Sequence, residues 1–292
     1  MKTRNLKIKG YLFSLCFGLL LGLGNVWGQS GEPLFSETPG LVSYTHRKSF
    51  EKNVAATLDT IQSLGVTDME FSNLFGTKPT DLRQMLDIRG IKCSSYGVSY
   101  DDLINNTDEV GQTAKILGAS FVRVAWIPHE GKFKLQDAER AAMDFNNAGK
   151  KLKKKYGITF CYHNHGFEFQ THNGISWFDY LMNNTNPKYV SYEMDILWTF
   201  LPGENPAELL RKYGSRFKLM HLKDLKIGVP SNHLGKTSSE NDVALGEGQI
   251  NIPEVLRAAK EVGIEHYYIE DESSRINVQV PQSIAYLKGL KD

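Results

Sequence analysis

From residue 40 onward, short apolar runs rich in β-branched residues alternate with longer segments whose apolar residues recur every three or four positions. The first kind predicts strands buried on both faces, and the second predicts the amphipathic helices that cover them. Strands are expected at 40–45, 66–71, 91–98, 120–126, 158–162, 189–194, 217–222 and 266–270. The helices after them are expected at 50–64, 80–89, 102–117, 135–156, 175–182, 206–213, 252–262 and 281–290. Gly90, Gly118 and Gly157 stand where three of these helices should stop. Eight strand–helix units in a chain of this size predict an α/β fold, a single-domain (β/α)8 TIM barrel. A doubly wound sheet would place a glycine fingerprint after its first strand, and this chain has Tyr44-Thr45-His46-Arg47 there.

The residues before the barrel pattern change the picture of where the protein works. Lys2, Arg4, Lys7 and Lys9 precede an apolar stretch from Tyr11 to Leu23, and small and polar residues follow at 24–29. That is the layout of a secretory signal peptide, with cleavage expected after Gly28. The expected domains are therefore a signal peptide at 1–28 and the barrel at 29–292, exported and periplasmic after cleavage. An uncleaved anchor would need about 20 apolar residues, more than this run provides. Leu15 before Cys16 also disfavours a lipid anchor.

Composition is ordinary for a globular protein, at 41% hydrophobic and 23% charged. Four of the 34 basic residues lie in the leader and all 33 acidic residues lie outside it, so the body is near −3. That balance argues against nucleic acid or an anionic membrane as a partner. The lysine run at 150–155 falls at a predicted helix end, where it suits the helix dipole and a solvated face. Beyond the leader only Cys93 and Cys161 remain, both within apolar strand-like runs, which predicts buried free thiols.

In a TIM barrel the reactive groups come from the C-terminal ends of strands and the loops after them. Polar residues gather at those places here. The fifth strand runs into Tyr162-His163-Asn164-His165-Gly166-Phe167-Glu168, and the sixth into Glu193-Met194-Asp195. The seventh ends His221-Leu222-Lys223-Asp224, and the eighth ends Glu270-Asp271-Glu272. Carboxylates and imidazoles meeting at one mouth repel or compete unless a cation lies between them, and a divalent ion with mixed oxygen and nitrogen ligands resolves the conflict.

These stretches, with 40–45 before them, Ile196-Leu197-Trp198 after Asp195 and Gly246-Glu247-Gly248-Gln249-Ile250 before Glu270, resemble the xylose isomerase-like barrel superfamily. The resemblance covers residues 40–290 and is nearest to its sugar phosphate isomerase/epimerase group. It implies one divalent ion (Mn, Zn, Co or Mg) held by a Glu, an Asp, a His and a second Glu. By position, Asp195, His221 and Glu270 match. Many relatives carry the first Glu at the fifth strand end, where this chain has His163, so Glu168 is the expected substitute. Homo-oligomers are common in the group.

The resemblance further implies a sugar isomerase or epimerase that removes a proton beside a sugar carbonyl through a metal-stabilised enediolate. Glu270 or His165 is the expected base, with Glu168 or His163 handling the returning proton. Arg47, Lys223 and Glu247 are expected to contact substrate, as is Trp198 as part of an aromatic wall with Trp126 and Tyr162. The expected partner is a small sugar or glycoside. One alternative is a 3-keto-glycoside lyase using the same ion and base. Another is a carbohydrate-binding barrel without catalysis. An abasic-site endonuclease is disfavoured, since Trp198 stands where such enzymes carry a further histidine.

Overall fold

Side chains on a strand alternate between its two faces, so a parallel sheet closed into a cylinder needs two separate cores. The computed structural model, which describes residues 32–36 and 39–292, shows both. Its barrel strands are β1 (Gly40–Val42), β2 (Asp68–Phe71), β3 (Lys92–Gly97), β4 (Phe121–Val124), β5 (Thr159–His163), β6 (Val190–Asp195), β7 (Phe217–Leu222) and β8 (His266–Ile269). Each pairs in parallel with its neighbours in chain order, and β8 closes on β1. The principal helices are α1 (Val54–Ser63), α2 (Pro79–Asp87), α3 (Thr107–Leu117), α4 (Leu135–Tyr156), α5 (Trp177–Asn184), α6 (Pro206–Tyr213), α7 (Ile252–Val262) and α8 (Ile276–Gly289). The chain is thus a single-domain TIM barrel over its described residues. The signal peptide expected at 1–28 lies outside them. Among the described residues no helix is long and apolar enough to cross a membrane.

Local sequence explains where elements start and stop. Asn53, Ser176 and Asn251 cap α1, α5 and α7 by accepting N–H bonds from the first turns. Gly118, Gly157 and Gly263 end α3, α4 and α7 in the left-handed conformation. Several expectations change. The last helix, expected from Pro281, begins at Ile276 and carries Pro281 inside it, and the first, expected from Phe50, begins at Val54. The helix expected at 102–117 is broken at Asn106, whose ψ of 28° is not helical, so a short turn of helix (Tyr100–Asn105) precedes α3. The first strand ends at Val42, and residues 43–46 form a 3-10 turn that carries the chain onto the barrel rim.

The larger core lies between sheet and helices, and it includes Phe71, Phe145, Phe160, Tyr162 and Tyr192. Inside the cylinder the apolar filling is small, made of Val42, Phe121, Cys161, Leu219 and Tyr268. Cys93 and Cys161 are free and buried. A hollow of about 930 Å³ lies at the N-terminal end beside Asp68, Cys93 and His266, away from the strand-end groups.

Helix α4 packs closely enough to need a glycine. A Cβ on Gly149 would stand 2.3 Å from the Tyr189 carbonyl oxygen, which is backbone and cannot swing aside. Alanine gains about 1 kcal/mol of helix propensity there, but overpacking against backbone costs about 1–3 kcal/mol. Gly149→Ala is therefore expected to lower stability, measured by urea unfolding.

Candidate metal centre

The polar site is built on the same alternation as the barrel core. Two residues beyond Phe121, Cys161 and Leu219, on the same inward face, stand Arg123, His163 and His221, and Glu270 follows Tyr268 in the same way. Glu193 and Asp195 alternate inward along β6, and Glu70 joins from β2. All seven are buried. Asp195 also caps the short helix after β6, because its Oδ1 accepts the Trp198 N–H at 2.9 Å. That bond turns Oδ2 inward.

The groups form two levels that share the histidines. At the upper level His163 Nε2 is 3.8 Å from Asp195 Oδ2. His221 Nδ1 is 3.9 Å from that oxygen and 3.0 Å from Glu270 Oε2. Asp195 Oδ2 is buried and has no hydrogen-bond partner. At the lower level His221 Nε2 is 3.0 Å from Glu70 Oε1, and His163 Nδ1 is 3.1 Å from Glu193 Oε2. Asp195, His221 and Glu270 make one set of closely spaced donors, and His163, Glu193 and His221 make another.

Charge separates the two levels. The lower already holds a cation: Arg123 Nε donates to Glu70 at 2.8 Å and lies 3.4 Å from Glu193 Oε2. Oxygens are orphaned at both levels, Glu193 Oε1 below and Asp195 Oδ2 above, and each is costly to bury, but Arg123 stands beside the lower pair and not beside Asp195 Oδ2. Two imidazoles and two carboxylates converging on that oxygen fit a divalent ion of the Mn, Zn or Co type. His163, Asp195, His221 and Glu270 are the residues that would hold it.

The surroundings tune each group. Burial works against ionising Glu70, but Arg123 and His221 outweigh it and hold the carboxyl down at about 2. Burial and the facing Glu70 push Glu193 well above the usual carboxylate range. Burial raises Asp195 to about 7 despite Lys223. It would also depress His221, yet Glu193, Glu270 and Glu70 together raise it well above the ordinary imidazole value. His165 is driven down to about 3 mainly by burial, so it is neutral. Its Nδ1 is buried without a partner.

A cavity of about 360 Å³ opens over this centre, lined by Trp126, Trp198, His163, His165, Glu270 and Glu272 among others. Trp198 stacks on His165 at 5.5 Å, and Trp126 meets the same ring edge-on at 5.3 Å. Lys223 is buried with Nζ 2.7 Å from Glu272, 3.6 Å from Glu270 and 5.3 Å from the Trp198 ring centre. Arg47 lies farther out, 3.5 Å from Glu272 and over the Tyr44 ring at 4.2 Å.

Three expected residues are placed elsewhere. Glu168 does not join the donor cluster. Its oxygens accept the His165 backbone N–H at 2.9 and 3.1 Å and the Tyr162 hydroxyl, which turns the carboxylate away from the ion position. The fifth-strand donor beside Asp195 is His163. Tyr162 is no part of the aromatic wall, because it precedes the inward His163 and therefore faces the helices, against Phe145. Glu247 is exposed and outside the cavity lining. Its loop is clamped by Asp224, whose carboxylate accepts the N–H groups of Gly246, Gly248 and Ile250.

Arg123 is not among the expected site residues, and Glu70 and Glu193 are expected only as strand-end carboxylates with no role of their own. The signal was present in the period of two: an arginine inside Phe121–Val124 and a glutamate two residues before Asp195 must share the inward face.

The comparisons agree with this architecture. The family model for the xylose isomerase-like TIM barrel matches residues 58–290. An inosose dehydratase from Bacillus anthracis is 26% identical over 183 residues, which is 56% of this chain and 60% of that protein. The chain therefore spans about three fifths of that relative's length. A crystal structure of a sugar phosphate isomerase/epimerase from Parabacteroides distasonis has a TM-score of 0.68 and 26% identity, covering 86% of this chain and 93% of that one. The IOLI protein with a bound zinc atom shares the fold, with a TM-score of 0.67 and 17% identity over 86% of this chain and 95% of its own. With most of its length matched by the family model, the chain belongs to the xylose isomerase-like TIM barrel family.

Proposed function

We propose that the protein is a divalent-metal-dependent enzyme that removes a proton beside the carbonyl of a small sugar-like molecule, after which a neighbouring group is eliminated. The observation that carries this reading is the set of four strand-end donors around the unpartnered Asp195 Oδ2, opening onto a cavity walled by two tryptophans. The bound zinc of the IOLI barrel accords with the metal, and the match to an inosose dehydratase favours elimination. A second reading, isomerisation or epimerisation by return of the proton, is favoured by the Parabacteroides structure. An ion held by the four donors supplies positive charge that stabilises an oxyanion on the substrate.

The chain's own residues do the rest. Trp126 and Trp198 offer flat apolar faces to sugar C–H groups and keep water from the reacting carbon. His165 lines the cavity and has an unpaired ring nitrogen, which makes it the proton acceptor of this reading. Glu168 positions it by holding its backbone N–H. Lys223 stays an ammonium because Glu270, Asp242, Glu272 and Asp195 outweigh its burial, and it fixes the carboxylates at the cavity wall. With the leader read as an export signal, the substrate search starts with unphosphorylated sugars and glycosides.

Two measurements test this. Elemental analysis with chelator competition should find about one bound ion per chain. Asp195→Asn should weaken it by more than the ~10–100-fold that loss of an outer partner costs. Glu168→Gln should leave affinity unchanged. Failure of the wild type to bind Mn²⁺, Co²⁺ or Zn²⁺ would remove the reading.

Incubation with keto-sugars and keto-glycosides in D2O separates the two reactions by mass spectrometry. Loss of water or an aglycone supports elimination, and deuterium gain without loss supports isomerisation. His165→Ala should slow either by about 10²–10⁴-fold.

A further inference from the structure

Each histidine that faces the ion position also makes a hydrogen bond on its opposite side, and the two acceptors are different glutamates. His221 faces Asp195 with Nδ1, which is also hydrogen-bonded to Glu270 at 3.0 Å, while its Nε2 is hydrogen-bonded to Glu70 at 3.0 Å and lies 3.4 Å from Glu193. His163 faces Asp195 with Nε2 and is hydrogen-bonded through Nδ1 to Glu193 at 3.1 Å. The rings are therefore held in opposite senses, one by each nitrogen, and they meet edge to face at 4.6 Å.

The glutamates are themselves fixed. Glu70 Oε1 accepts from Arg123 at 2.8 Å and Oε2 accepts the Ser95 hydroxyl at 2.6 Å. Glu193 lies 3.4 Å from the same Arg123 Nε. Glu193 shares a donor set with His163 and His221 but not with Asp195, and Glu70 is in neither set.

We propose that Glu70 and Glu193 are positioning residues for the metal, which set which nitrogen of each histidine donates to the ion, with Arg123 holding both carboxylates in place. This rests on the metal-dependent reading above. A neutral imidazole has one N–H and one lone pair, so when an ion takes the lone pair of the nitrogen facing Asp195, the acceptor at the other nitrogen holds the N–H there. His221 then ligates as the Nε2–H tautomer and His163 as the Nδ1–H tautomer. The two histidines cannot exchange roles, which makes the centre asymmetric although it is built from two pairs of like ligands.

The test uses zinc-loaded full-length protein with ¹⁵N-labelled histidine. Nitrogen chemical shifts and their couplings to ring protons should show a protonated Nε2 on His221 and a protonated Nδ1 on His163, assigned with the His→Gln variants. The opposite tautomer on either ring, or a mixture of tautomers, overturns the proposal. In parallel, Glu193→Leu removes the acceptor while Glu193→Gln keeps a carbonyl oxygen there. The expected result is a ~10–100-fold loss of zinc affinity in the first, restored to within a few-fold in the second. Equal affinity in wild type and Glu193→Leu overturns the proposal while leaving the metal reading intact. A wild type that binds no zinc overturns both.

Discussion

The fold has to accommodate a column of ionisable groups buried inside the barrel. Seven of them, from six different strands, lie where a TIM barrel normally places branched apolar side chains. An isolated buried charge costs far more than a domain's net stability of about 5–15 kcal/mol. The charges therefore have to compensate one another group by group. Arg123 does this for Glu70 and Glu193 and Lys223 for Glu270 and Glu272, while Glu193 and Asp195 each keep one oxygen unanswered. The apolar plug beneath, only five residues, gives the column a dry floor that separates it from the hollow at the other end.

This division of labour explains why the walls and the centre come from different kinds of sequence. The centre is carried by strands, whose backbone is fixed on both edges by parallel neighbours, so its donors hold their spacing without help from loops. The walls come from residues just after the strands: Trp126, His165 and Trp198. Those segments are free to vary in a barrel. On the proposed metal-dependent reading, the four strand-end donors set the kind of chemistry, while the aromatic walls and Glu272 with Lys223 govern what fits beside it.

Much of this was legible in the chain. The eight-unit alternation gives the barrel directly, because strand and helix periods differ and glycines mark the helix ends. Asp195, His221 and Glu270 were legible because strand ends are where such residues gather. Glu168 was misplaced for a reason that spacing cannot express. Whether a carboxylate five residues beyond a strand turns inward depends on its partners, and Tyr162, on the outward side of β5, draws it away. The same rule of alternation would have removed Tyr162 from the wall and brought Arg123 and Glu193 into the site.

The contact between two glycines at the mouth sets how closely the roof sits. Gly235, on the segment after β7, lies against Gly166, where even a single Cβ would stand 3.3 Å from its backbone. The same segment is tied down nearby, because Gln170 Nε2 donates to the His233 carbonyl and the Asn232 N–H donates to the Leu201 carbonyl, both at 3.0 Å. A side chain at either glycine would prop the segment away from the loop that carries His165, so the pair fixes the headroom above the cavity.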